Sequence, residues 1–214
     1  MKKILKSVFC VFTAVVLLTA NVAPAAYAFN DDPMNGRVKN QNINQFSKPD
    51  DASDYSHDSR FETGYTIEKV IDVSKHNGSI DWQKVAASGI KYAIIRVGYR
   101  GYGDTGSINI DSNFTTNIKG AINAGIKVGV YFYTQAVNEA EAREEADFVL
   151  ENIIGCDLAL PVAFDCEFAS DNNGYTGRFY NARLSKSQTS AICRAFCNRI
   201  SAAGYEAMVY LHLH

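Results

Sequence analysis

The 214-residue chain lacks the marks of several large function classes. It has no Cys-x-x-Cys pair and no His-Glu-x-x-His run, so neither a structural nor a catalytic zinc site is expected. His76, His212 and His214 fit no metal-ligand spacing. Gly98, Gly101 and Gly103 match neither a dinucleotide fingerprint nor a phosphate loop, and read as a flexible loop. There is no surplus of positive charge: 21 basic residues face 23 acidic ones, for a formal net charge of -2. Electrostatic docking onto nucleic acid is therefore not expected. Five cysteines are too few for a disulfide scaffold, although four outside the first 28 residues permit one or two bridges. Beyond the N-terminus no apolar run could span a bilayer.

The N-terminus itself reads as a secretory signal peptide over residues 1–28. Lys2, Lys3 and Lys6 precede the apolar stretch Val8 to Thr19, and Ala26-Tyr27-Ala28 is a small-x-small cleavage site. The segment carries three lysines and no acid, so its loss takes the formal charge to -5. The expectation is a soluble secreted protein. Residues 29–66 are rich in Asn, Asp, Ser and Gln without a period, and read as a disordered spacer.

From residue 67 to residue 214 apolar runs alternate with amphipathic stretches. Strands are expected at Val70 to Val73, Tyr92 to Val97, Val128 to Tyr133, Ala159 to Glu167 and Ala207 to Leu211. Helices between them open at Asp81, Asp111, Asn138 and Ser185, each a capping residue type. Ser88-Gly89, Ala124-Gly125 and Ala203-Gly204 recur where a helix ends before a strand, each glycine suited to positive φ. This βα spacing implies parallel strands, in an α/β barrel or a doubly wound sheet.

The chemistry concentrates in Phe164-Asp165-Cys166-Glu167-Phe168. Side chains alternate along a strand, so Asp165 and Glu167 share one face and Cys166 takes the other. Two neighbouring carboxylates beside an apolar core raise each other's pKa, an arrangement that suits an acid working with a base. In a β/α barrel Asp72 would end the first strand on the same rim. Tyr99, Tyr131 and Tyr133 would surround the opening with flat rings. Each also has a structural use. Asp72 could bond loop amides around Ser74, Asp165 could cap a helix, and Tyr131 and Tyr133 could simply pack.

Taken in order, several pieces resemble glycoside hydrolase family 25, the Chalaropsis-type lysozymes (N-acetylmuramidases). They are Ile71-Asp72-Val73-Ser74-x-His76-Asn77-Gly78, Ile80-Asp81-Trp82, Tyr92-Ala93-Ile94-Ile95-Arg96 and Asp111-x-x-Phe114. They continue with Gly125-Ile126-x-Val128-Gly129-Val130-Tyr131-x-Tyr133, Leu160-Pro161-Val162-x-x-Asp165-x-Glu167 and Gly204-Tyr205. The resemblance implies a TIM-like β/α barrel and hydrolysis of the β-1,4 bond between N-acetylmuramic acid and N-acetylglucosamine in peptidoglycan. Set against that family, the chain reads as a barrel truncated after its fifth strand.

Carried over, Glu167 resembles the general acid, kept protonated by Asp165 and by burial. Asp165 stays ionised beside the 2-acetamido group, and Asp72 positions water or sugar. Arg96, Tyr99, Tyr131 and Tyr133 are the expected substrate contacts. The resemblance implies no cofactor and no metal. The expected partner is the glycan strand of peptidoglycan, met by a monomer without nucleic acid or membrane insertion. Two other readings stay open: a non-catalytic wall-binding pseudo-enzyme fragment, and a chitinase-like hydrolase.

Overall fold

The computed structural model describes residues 66–212, together with the backbone of two short strands near the N-terminus. Those are β1 (Lys6–Phe9) and β2 (Val15–Leu17). The remainder of the expected signal peptide and spacer lies outside the described residues; Thr66, the spacer's last position, already opens a strand.

The main strands are β3 (Thr66–Val73), β4 (Tyr92–Arg100), β6 (Lys127–Tyr133), β7 (Val162–Glu167) and β10 (Ala207–His212). They pair side by side in that order, all parallel. The sheet curls into a parallel half-barrel. β1 extends it in parallel beside β3, and β2 pairs antiparallel with β10 at the opposite edge. β5 (Ile108–Ile110) folds back antiparallel on β4. A small hairpin of β8 (Ala169–Asp171) and β9 (Gly174–Thr176) follows β7.

The helices are α1 (Trp82–Ala87), α2 (Phe114–Asn123), α3 (Glu139–Asn152), α4 (Gly177–Asn181) and α5 (Lys186–Ala202). The expected caps form at three of them. Asp81 accepts from the Lys84 amide, Asn138 from the Glu141 amide, and Ser185 from the Gln188 amide in a reciprocal capping box. The repeated glycines turn helix into strand at positive φ: 94° at Gly89, 77° at Gly125 and 90° at Gly204. Among the described residues no helix is long and apolar enough to cross a membrane.

Alternation along the strands makes two apolar layers. Val73, Ile95, Val130, Phe132 and Phe164 face the helices in the main core, where Phe164 stacks on Phe196 of α5 at 4.4 Å. Val70, Tyr92, Ile94, Tyr131, Ala163 and Met208 form a second, smaller cluster on the concave face. Strands covered on both faces need near-continuous apolar sequence, which is what these runs have.

The boundaries differ from the sequence expectation in physical detail. The first strand begins at Thr66 rather than Val70, and the fourth at Val162 rather than Ala159. The helix expected to open at Asp111 begins at Phe114, because the Asp111 carboxylate is engaged elsewhere. The glycine-rich stretch is less free than expected: Gly98 lies within β4, and the Gly101 amide donates to Ser107 at 2.9 Å.

Candidate active site

The acids converge because of strand alternation. Asp165 and Glu167 leave β7 on the concave side, while Cys166 between them is buried in the helix-side core. Asp72 occupies the same concave face near the end of β3, two residues on from Val70. Its charge reaches Asp165 across the curled sheet. The alternation expected for Asp165, Cys166 and Glu167 therefore holds.

A β-bulge sets the position of Tyr99. The pairing of β4 with β6 shifts register between Arg96 and Gly98. Without that extra residue, Arg96 and Tyr99 would point to opposite faces. With it, Gly98 packs toward Phe132 and Phe148, and Tyr99 joins Arg96 on the concave side. The Arg96 guanidinium lies 5.4 Å from the Tyr99 ring centroid, a cation–π distance. Lys75 Nζ sits over the other part of this arrangement, 4.8 Å from the same centroid and 3.3 Å from the Tyr99 hydroxyl.

Arg96 has a partner within the chain. Its Nε donates to Asp111 Oδ2 at 2.8 Å, and Nη2 lies 2.8 Å from the same oxygen. Asp111 also accepts from the Lys75 amide and the Asn113 amide, each at 2.9 Å. These bonds tie the loop after β3 to the loop before α2. They also dispose of one structural use for Asp72: the Ser74 amide donates to Asn77 and the Lys75 amide to Asp111. Asp72 instead accepts a hydrogen bond from the buried Tyr131 hydroxyl.

Burial governs the protonation of this cluster. It pushes Asp72 up to about 7, against the pull of the Tyr131 hydrogen bond and of Arg96. Asp165 is held well above the usual carboxylate range, first by burial and then by the charges of Glu167 and Asp72. One of its oxygens, Oδ1, is buried without a hydrogen-bond partner among the described residues. Asp165 was expected to stay ionised; its surroundings instead favour its neutral form. Glu167 is 4% exposed at the mouth of β7. Tyr133 lies beside Tyr102, and burial raises both phenols, so both stay neutral.

The raised Asp72 pKa has a consequence for stability. The folded state binds this proton more tightly than the unfolded chain, whose Asp titrates near 3.8. The group's contribution is thus intact below about pH 4 and is lost as pH rises toward about 7. Asp72→Asn is expected to flatten that part of the stability curve, measured by urea unfolding at pH 5 and pH 8. An unchanged difference between the two pH values would show that Asp72 is not the group responsible.

Three comparisons with known proteins bear on this site. The family model described as "Glycosyl hydrolases family 25" matches residues 71–214. The chain belongs to glycosyl hydrolase family 25. The match takes in all three concave-face acids. The autolytic lysozyme of Clostridium acetobutylicum is 28% identical over 144 residues, covering 67% of this chain and 38% of that protein. Among solved structures, the modular autolysin LytC of Streptococcus pneumoniae is similar at 30% identity and a TM-score of 0.55, covering 66% of this chain and 31% of that one. LytC has also been solved in complex with a synthetic peptidoglycan ligand. A family 25 glycosyl hydrolase from Bacillus anthracis, 19% identical with a TM-score of 0.51, shares the fold over 70% of this chain and 59% of its own. The chain spans 38% and 26% of the lengths of the two curated lysozymes it matches.

Sequence reasoning missed Asp111, Lys75 and Tyr102 as neighbours of the site. Asp111 looked like a helix cap because it precedes an amphipathic stretch. Its partnership with Arg96 spans 15 positions and leaves no periodic trace. Strand alternation gives the facing of Asp165 and Glu167, while the bulge and the ion pair behind them are visible only in three dimensions.

Proposed function

We propose that this chain is the catalytic part of a muramidase that cleaves the β-1,4 bond between N-acetylmuramic acid and N-acetylglucosamine in peptidoglycan. The observation that carries the proposal is the gathering of Asp72, Asp165 and Glu167 on one concave face of a family 25 half-barrel. In this reading Glu167 protonates the leaving glycosidic oxygen. With substrate bound, the proton that Asp165 and Glu167 compete for sits on Glu167, so Asp165, with one oxygen unpartnered, accepts as a carboxylate from the N–H of the 2-acetamido group and steadies charge at the anomeric carbon. Asp72, held by Tyr131, orients sugar or water. Tyr99 and Tyr133 line the approach, whereas Tyr131 and Arg96 act mainly by fixing the acids.

The finer parts of the reading belong to the same proposal. Residues 1–28 direct secretion and are removed, residues 29–66 are a spacer, and the domain begins at residue 67. Loss of the leader bares the edges of β3 and β10, which β1 and β2 cover. The protein then acts as a monomer at the cell wall on glycan strands, without cofactor, nucleic acid or membrane insertion. The likeness to the curated lysozymes and to LytC supports this reading.

The test is clearance of purified cell walls, followed by identification of the new reducing ends. N-acetylmuramic acid ends are expected. N-acetylglucosamine ends would mean a chitinase-like or glucosaminidase specificity. Tight wall binding without new ends would mean a non-catalytic wall-binding module.

A further inference from the structure

The loop from Gly101 to Ser107 carries an aromatic ring that the acids do not explain. Tyr102 is 52% exposed, unusual for a large aromatic held in a defined place. Its ring meets Tyr133 edge to face, with centroids 6.1 Å apart and planes at 78°. Tyr102 also lies within electrostatic reach of Tyr133, Glu167, Arg96 and Tyr99. At least one face of the ring is thus left uncovered beside the acid.

Glycines flank Tyr102 on both sides, at 101 and 103, so this loop would wander unless tied down. It is tied from behind. Arg100, itself buried, donates from Nη1 to the Gly106 carbonyl at 2.6 Å and from Nε to the buried Glu145 at 2.7 Å. Its Nη2 reaches Glu144 at 2.7 Å and the Glu141 carbonyl at 3.1 Å. Glu145 accepts in addition from Thr134 at 2.7 Å, at the end of the strand that carries Tyr133. A Cβ on Gly106, whose φ is +52°, would collide with the Arg178 guanidinium, which Glu141 holds through two bonds of 2.8 and 3.0 Å. One buried network therefore fixes both ends of the Tyr102–Tyr133 pair. An exposed apolar ring held this firmly gains nothing for folding by its exposure.

We propose that Tyr102 is a sugar-contacting wall of the cleft beside Glu167, stacking on an N-acetylhexosamine ring of the glycan, and that the Arg100–Glu145 network holds this wall in place. The proposal rests on the muramidase reading, and its test separates the two. In the Glu167→Gln background, Tyr102→Trp places an indole at the wall; the chain's single native tryptophan, Trp82, is buried in the core. Glycan strands stripped of stem peptides are expected to shift its emission in a saturable way. In the otherwise wild-type protein, Tyr102→Ala is expected to raise KM about tenfold with less than a threefold change in kcat, and Tyr102→Phe to recover most of the loss. Cleavage by wild type combined with unchanged KM in Tyr102→Ala, or with a silent indole, overturns the wall while leaving the muramidase reading standing. A wild-type protein that neither cleaves nor binds glycan overturns both.

Discussion

Glu167→Gln is expected to lower cell-wall hydrolysis about 10³-fold while leaving the domain folded, consistent with the 10²–10⁴-fold range typical of a general acid. Glutamine keeps the shape and most of the hydrogen-bonding capacity of glutamic acid, but it cannot deliver a proton to a leaving oxygen. The side chain is nearly fully buried at the end of β7. Its charge is one of those that push Asp165 toward its neutral form. Removing that charge relieves repulsion, so the variant's melting temperature should equal or exceed that of wild type. A lost activity with a gained stability is the signature of a group kept for chemistry rather than for packing. Wild-type rates in the variant would remove Glu167 from the acid role. A collapsed melting transition would show that the residue serves the fold.

The concave-face acids could be read from sequence because strand alternation is a local property. Asp165, Cys166 and Glu167 needed only their own spacing to be assigned faces. The same holds for the caps at Asp81, Asn138 and Ser185, each decided within one helical turn. What the sequence hid was non-local or very short. β5, β8 and β9 have three residues each, too few to show a period. The bulge after Arg96 reverses the facing of everything beyond it, yet Arg96-Val97-Gly98 carries no mark that distinguishes it from plain strand. Polar partners such as Arg100 and Glu145, 45 positions apart, become visible when α3 packs beside β4. Protonation was the least legible property. Adjacent acids promised raised pKa values, but which carboxyl takes the proton depends on how deeply each is set among its neighbours.

That dependence makes Arg96→Met the second large effect. Arg96 neutralises Asp111, whose side chain is fully buried and cannot turn to water. Methionine fills much of the same space but leaves Asp111 with two backbone amides and no cation. Stranding a buried charge costs about 3–5 kcal/mol, or a fall of roughly 10 °C in melting temperature for a domain of this size. Arg96 also lowers the proton affinity of both Asp72 and Asp165. Its loss raises the Asp72 pKa beyond about 7, so any step requiring the Asp72 carboxylate moves its acid limb to higher pH. Adding Asp111→Asn should restore much of the stability, because the stranded charge is gone, without returning the pH profile to its place. A double-mutant cycle in urea, run beside pH–rate profiles, separates the two roles. Arg96→Met unfolding within 1 kcal/mol of wild type would mean that the two backbone amides suffice to hold Asp111, and that the cation serves the acids alone.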